Sequence, residues 1–582
     1  MMLSIFEGSE GRLREAKIIT RQTSDGRGTI SFRNYIVEFP YSLKDKLGIG
    51  KLLAVNTIKE NNYLILEIAD IIPMHYGMIS LDASVPREIR DEIMRKVEES
   101  WYSVEEREKW IDAITYPLGY ILEINNENIV FKKGYFPPLL GSSVKILNKA
   151  IYTKFVCSNS NISLGNILNE DIRLNVDLEK AIRYHLGIFA FTGSGKSNLA
   201  SLIVRKTLDN LPNTKVVIFD VSMEYAILLL DKLIDIESKL ISLDRISTNF
   251  LDAGRRFIRS HVIPDDIIDL KDKIRKSAEI LYQKERMKQL YVPPQGLTFL
   301  TYGDIIDLIR KQIEDKYTAI SQKPLLYTFL SKLDNFMRDR KLTSDDIVDE
   351  SINQLLDEIE TMGREAHLKD NSSLFTFIAG IRSYISLGIQ ETEDYDIEKL
   401  SIEILDSSEN SPRLFIIELP NLEEGRQVVA SIINQVYNRR KRMYSDNPKI
   451  LFIIDEAQEF IPYDTKQKDK SEASSEAIEK LLRHGRKYHL HALISTQRLA
   501  YLNTNALQQL HTYFISTLPR PYDRQLLAET FSISDMLLDK TLELEPGQWL
   551  LVSFKSALPH DVPVFFSADN NLQLIREFLN KL

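Results

Sequence analysis

The chain has a single cysteine, Cys157, among its 582 residues. No disulfide can form within it and no cysteine-based zinc site exists. The thiol reads as a small buried side chain, and such sparing use of cysteine fits a reducing cytosol. No run of about 18 apolar residues occurs, and Met1–Arg14 lacks the apolar core of a secretory signal. The expectation is a cytoplasmic chain with no membrane span. Positive charge is in deficit: 74 Lys and Arg against 83 Asp and Glu leave a net charge of −9. That argues against a protein that coats nucleic acid by bulk charge, though not against one holding it in a narrow basic channel, where local charge governs. His484, His489 and His491 lie close together without the spacing of a familiar metal site. What is present is ordinary for a chain with a large core, 43% hydrophobic and 27% charged. The length suggests about three to five domains or subdomains.

One stretch organises the rest. Ala190-Phe-Thr-Gly-Ser-Gly-Lys-Ser197 follows the apolar run Gly187–Ala190 and precedes Asn198–Arg205, which reads as a helix. Strand, glycine loop and helix form the setting of a phosphate-binding loop, with Ala190 where the pattern usually begins with Gly. Gly193 and Gly195 let the backbone curl its N–H groups toward phosphate oxygens, and the helix N-terminus adds partial positive charge. Thr192, Gly193, Ser194, Gly195, Lys196, Ser197 and Asn198 are therefore the candidate nucleotide contacts. Lys196 would neutralise the β- and γ-phosphates and Ser197 would hold Mg²⁺. Lys215–Asp220 is a second buried strand ending in an acid, followed by Glu224. Ligands bind beyond the carboxyl ends of parallel strands, so Asp220 and Glu224 are expected near the nucleotide. Lys449–Glu456 is an apolar strand ending in Asp-Glu, a Walker B pattern. Asp455 would join the Mg²⁺ shell and Glu456 would orient the attacking water. His491–Gln497 is a strand ending in an amide suited to sensing the γ-phosphate.

Around these motifs the chain divides into five stretches. Residues 1–170 are rich in short alternating strands, which suggests a β-barrel used for assembly, with a helical insert near 86–113 that carries a capping box, Ser103–Glu106. Residues 171–225 begin an α/β core. Residues 226–411 show apolar spacings of three and four and are expected to form an inserted bundle of four to seven helices, with a joint at Pro293-Pro294. Residues 412–565 resume the core, and 566–582 end in a helix. Arg439–Arg442 closes a helix; it reads as cations at a helix C-terminus or as a phosphate-contacting patch. Tyr463–Lys470 is a polar loop, solvated or turned into the channel of a ring.

With these residues in place the chain resembles the HerA family of the HerA–FtsK ATPases. The matching pieces are Arg183-Tyr-His-Leu-Gly187, Thr192–Ser197, Phe219-Asp220 with Glu224-Tyr225, Ile454–Gln458, Arg483–Tyr488, Ser495–Arg498, Asp523 and Pro546-Gly547. The usual Gly-Glu-Tyr context reads Met223-Glu224-Tyr225, and Leu499 follows Arg498 where Pro is common. The resemblance implies a RecA-like P-loop core with an N-terminal β-barrel of the HerA–ATP-synthase type and a helical-bundle insertion. It implies a homo-hexameric ring that uses ATP and Mg²⁺ and translocates double-stranded DNA. It supplies an arginine acting in trans on the neighbouring site, Arg486 or Arg483, and places Arg183 near the phosphates. It further implies an effector partner, a NurA-like nuclease in DNA-end processing or a sirtuin-like NADase or other nuclease in antiphage defence. Two other readings stand beside it: a ring whose ATP cycle gates a partner with little translocation, and an FtsK-like pump, against which the absence of a membrane span counts.

Overall fold

A computed structural model describes all residues except 1–4, 23–28, 80, 82–84, 104–106, 126–127, 245–248, 293–301, 315–321, 345, 347, 369–371, 389–394, 444, 465–470 and 532. Pro293-Pro294, most of the capping box Ser103–Glu106 and most of the loop Tyr463–Lys470 therefore lie outside the described residues.

The N-terminal strands are β1 (Phe6–Gln22), β2 (Thr29–Pro40), β3 (Leu52–Asn56), β4 (Asn62–His75), β5 (Lys109–Asn125), β6 (Asn128–Lys133) and β7 (Ser143–Leu147). Their order is β2-β1-β7-β3-β4-β5-β6, and β2 also pairs with β5. That extra pairing closes β1 to β5 and β7 into a barrel, with β6 added outside the ring on β5 alone. Leu13, Val37, Phe39, Val55, Leu66 and Ile146 are among the alternating inward residues that fill it. The expected helical insert is shorter than 86–113: the helix spans Arg87–Trp101, and Lys109–Ala113 already belongs to β5. Ile111 and Ala113 point into the barrel core, so burial on alternate positions overrides the helical reading there.

The second sheet has twelve strands. After β8 (Ser163–Ile167) and β9 (Arg173–Asn175) come β10 (Leu186–Phe189), β11 (Thr214–Asp220), β12 (Ser238–Ser242), β13 (Met287–Gln289), β14 (Leu414–Glu418), β15 (Lys449–Ile454), β16 (Leu490–Thr496), β17 (Thr512–Ile515), β18 (Gln548–Ser553) and β19 (Val564–Ala568). The order is β13-β12-β14-β11-β15-β16-β10-β17-β18-β19-β8-β9. Strands β13 to β17 run parallel, and the remainder antiparallel. Alternate residues feed two cores on opposite faces: Ile188, Val216, Ile218 and Leu451 on one, Phe189, Val217, Phe219 and Phe452 on the other. Both faces are covered, so these strands are near-continuously apolar. The P-loop strand β10 and the Asp-Glu strand β15 are separated by one strand, β16, which is the arrangement of a RecA-like core.

The stretch 226–411 is not one bundle. Strands β12 and β13 extend the sheet, and the helices Phe250–Ser260 and Lys271–Gln283 bury Phe257, Ile274 and Leu281 in the sheet's own core. A separate core begins only with the helices Tyr302–Glu314, Lys323–Asp339, Asn353–Glu365 and Ser373–Gly388, whose inward residues include Ile309, Phe329, Leu356 and Ile378. Strand β13 has three residues, too few for a period-2 signal against the helical pattern around it. Among the described residues no helix is long and apolar enough to cross a membrane.

Candidate active site

The helix Lys196–Asn210 starts at the end of the glycine loop, with Gly195 as its N-cap at φ +93°. Gly193 is also left-handed, at φ +83°. A side chain at either position would be strained, and the unbonded N–H groups of the helix's first turn open on the loop. Lys196 reaches past the end of β16 to the end of β15. Its ammonium bonds the Glu456 carboxylate and lies 3.2 Å from Asp455 Oδ1. Burial pulls the lysine's pKa down, but the facing charges of Asp455 and Glu456 outweigh it and leave it raised.

Gln497, just past β16, completes the group. Its Nε2 donates to Glu456 Oε1 at 2.7 Å, and its amide oxygen accepts the Thr192 hydroxyl. The loop, the Asp-Glu pair and the amide thus converge at the carboxyl ends of β10, β15 and β16. Glu456 is held in left-handed backbone at φ 46°, a conformation that costs energy in a non-glycine residue and recurs at functional sites. Asp455 is fully buried; its carboxylate accepts from Ser495 Oγ at 2.5 Å and Ser222 Oγ at 3.1 Å. The Glu224 carboxylate accepts the Ser197 hydroxyl, and burial raises its pKa.

Several expected contacts are used otherwise. Asp220 is fully buried, and its carboxylate accepts Met223 N–H at 2.8 Å, Tyr225 N–H at 3.0 Å and the Ser222 hydroxyl at 3.2 Å. It ties the 221–225 turn rather than facing a nucleotide. Burial, then the charge of Asp455, pushes it up to about 7. Asn198 turns away from the loop: its amide donates to Asp569 O at 3.1 Å and accepts Asn571 N–H at 2.9 Å. Ser194 is buried, and its carbonyl accepts Gly547 N–H at 3.0 Å. Arg183 and Arg486 stand at the amino ends of β10 and β16, a strand's length from the loop of their own chain. Arg486 lies over the Tyr184 ring, 4.8 Å from its centroid. Arg483 pairs with Glu479 at 3.3 Å. Arg183 thus does not join the loop of its own chain. In the Arg439–Arg442 patch, Arg440 is buried and donates to Ser445 O and Pro448 O, Arg439 bonds Glu398, and Arg442 lies 3.0 Å from Asp346. These three side chains are spent within the chain.

The sequence reading assigned no role to Ser222, Ser495, Thr496, Gln458 or Gly547. Their signal is weak: small or polar residues flanking a motif also occur at ordinary strand ends, and only the pairing shows which group each one meets.

The donor set suits a magnesium nucleotide. Ser197 and the buried, serine-held Asp455 offer one hydroxyl and one carboxylate beside a loop of backbone donors. Among the described residues no group of three or more His, Cys, Asp or Glu could hold an ion alone. Mg²⁺ is held in this way, by one or two protein oxygens plus phosphate oxygens and water.

Comparison with known proteins agrees with this geometry. The family model described as the central domain of helicase HerA matches residues 162–440. The probable DNA double-strand break repair helicase HerA of Methanocaldococcus jannaschii is 23% identical over 438 residues, covering 74% of this chain and 81% of the relative. The probable helicase MJECL08 of the same organism is 21% identical over 551 residues, covering 91% of this chain and 94% of the relative. Among solved structures, VirB4 of Thermoanaerobacter pseudethanolicus overlaps 71% of this chain and 98% of its own at 12% identity, with a TM-score of 0.39. That superposition is too loose to bear on the fold, which rests on the strand order itself. A P-loop, an Asp-Glu strand one strand away and an amide between them thus sit in a chain whose residues 162–440 match the HerA central-domain model and which is similar over most of its length to HerA-type helicases.

Proposed function

We propose that the chain is an ATP-hydrolysing translocase of double-stranded DNA that works as a homo-hexameric ring together with a nuclease or other effector protein. The observation that carries this reading is the convergence of Lys196, Glu456 and Gln497 on one point at the mouth of the glycine loop. The loop's N–H groups and the Lys196–Asn210 helix terminus hold the phosphates, and Lys196 leaves the carboxylates to neutralise the β- and γ-oxygens. Ser197 and Asp455 would hold Mg²⁺, which would supply charge neutralisation at the phosphate oxygens. Freed of Lys196, Glu456 orients the attacking water, and Gln497 hydrogen-bonds the γ-phosphate. Arg486, which with Arg183 and Arg483 lies toward the amino ends of the strands, serves the site of a neighbouring subunit. An arginine acting this way is worth roughly 10³–10⁵ in rate. The named HerA relatives support the DNA substrate, and a net charge of −9 does not exclude DNA held in a local basic channel.

The test is steady-state ATP hydrolysis by the purified chain with and without long double-stranded DNA, beside Glu456→Gln. Stimulation that fades with salt and is lost in the variant is the expected result. Hydrolysis indifferent to DNA, or silent until a partner protein is added, would replace the translocase with a ring whose ATP cycle gates that partner.

A further inference from the structure

Glu456 is held at both carboxylate oxygens. Lys196 and Gln497 meet Oε1, and Gln458 donates from Nε2 to Oε2 at 2.7 Å. The first two belong to the loop and the strand end that face a nucleotide. Gln458 does not: it is 4% exposed, in the short helical turn Ala457–Glu459 that the left-handed Glu456 folds back under the sheet. Behind it stands Thr496, fully buried, with Oγ1 2.6 Å from Gln458 Oε1 and accepting Arg498 N–H at 3.0 Å. An ionised carboxylate has no proton to give, so an amide oxygen turned toward Glu456 would set two acceptors face to face. The network therefore closes in one direction: Arg498 N–H to Thr496, the Thr496 hydroxyl to Gln458, the Gln458 amide to Glu456.

We propose that Gln458 and Thr496 are positioning residues for Glu456, a buried relay that keeps its carboxylate aimed once Lys196 and Gln497 turn to the phosphates. The relay ends on the main chain of Arg498, next to Gln497, so a shift of that strand end is carried to the carboxylate. The inference rests on the reading of Glu456 as the group that orients water.

The experiment measures kcat for Mg-ATP and, separately, nucleotide affinity in the full chain, for the parent, Glu456→Gln, Gln458→Leu, Thr496→Val and Thr496→Ser. Misaiming a reacting group by a fraction of an ångström to an ångström costs up to about 10²-fold. Gln458→Leu is expected to lower kcat about 10- to 100-fold, and the isosteric Thr496→Val about tenfold, each keeping nucleotide affinity within about threefold. Thr496→Ser, which keeps the hydroxyl, is expected to return kcat to within about twofold. With Glu456→Gln inactive, a Gln458→Leu chain that hydrolyses like the parent overturns the relay alone. So does an affinity loss that matches the kcat loss, or a Thr496→Ser chain as slow as Thr496→Val. A Glu456→Gln chain that hydrolyses normally overturns the parent reading and the relay with it.

Discussion

Lys196 sits among carboxylates that repel one another without it. Asp455 and Glu456 face its ammonium directly, while Asp220 and Glu224 lie close enough for Asp455 to raise their pKa values. Removing the cation and removing one anion should therefore act in opposite directions on an anionic ligand. Lys196→Ala is expected to lose measurable ATP binding in a calorimetric titration, since it deletes the phosphate partner and leaves the carboxylates unpaired. Glu456→Gln is expected to bind ATP at least as tightly as the parent while hydrolysing it about 10²–10⁴-fold more slowly. The meeting of Lys196, Asp455, Glu456 and Gln497 was legible in the sequence because each closes a motif whose neighbours fix the backbone around it. Asp220 and Asn198 occupy motif positions too, yet one caps a turn and the other holds the C-terminal segment. Adjacency along the chain does not say where a side chain finds its hydrogen bonds.

At the scale of elements, the C-terminal segment is pinned at two points, one on the glycine loop and one on the helix that follows it. Gly547 N–H bonds the Ser194 carbonyl. Asn571, fully buried at the start of the helix Asn571–Lys581, donates to Asn198 O at 3.1 Å and Ser201 Oγ at 2.9 Å. Asn571→Ala removes both bonds, one of them to the buried Ser201 hydroxyl, at a cost of about 1–3 kcal/mol. A lower melting temperature is expected, together with weaker nucleotide binding, because the first turn of the helix loses its anchor; a titration with a non-hydrolysable ATP analogue reads the second effect. The sequence marks 571–582 as helical, but nothing in its periodicity says that its first residue docks on residue 198, 373 positions earlier. The same limit explains β13, a three-residue edge strand hidden in a helical stretch.

At the scale of the whole molecule, the barrel does not hang on a linker. Leu52, Ala54, Ile65, Tyr120 and Leu122 of the barrel share one core with Leu164, Ile167, Val564 and Phe566 of the sheet. Glu67 of β4 is enclosed at this junction, and Lys540 beside it bonds the Ala69 carbonyl. Burial pushes Glu67 up to about 8, with the Tyr116 hydroxyl and the Lys540 charge pulling the other way. An unfolded glutamate titrates near its ordinary 4.5, so the folded chain holds an extra proton across that window. The resulting stabilisation is full below about 4.5, is lost as pH rises toward 8, and changes no further above it. Glu67→Gln, which stays neutral, is expected to flatten this slope in thermal melts and to raise the melting temperature at pH 8–9 relative to the parent. Arg486 stands at the end of the strands opposite its own loop, so in the proposed ring, where it would complete a neighbour's site in trans, that site could be rebuilt from two dead chains. Randomly mixed rings of Lys196→Ala and Arg486→Ala subunits would hold both groups at about a quarter of the head-to-tail interfaces, and ATP hydrolysis near that fraction of the parent rate is expected. Mixed rings as silent as either parent variant would remove Arg486 from the trans role.

The sequence by itself determined the ATPase core, because a glycine loop between a buried strand and a helix has few other uses and an apolar strand ending in Asp-Glu completes it. It determined that the N-terminal region is rich in strands, although four of them run 12 to 17 residues, longer than the short strands its pattern suggested. Only the tertiary structure decided which side chains serve the carboxylates, where the arginines stand relative to the loop, and that the bundle with its own core is confined to 302–388. The reason is physical. Local periodicity and turn chemistry act over a few residues, whereas hydrogen bonds such as Gln458 to Glu456 or Asn571 to Asn198, and the register that sets β16 between β10 and β15, are fixed by packing among segments far apart in the chain.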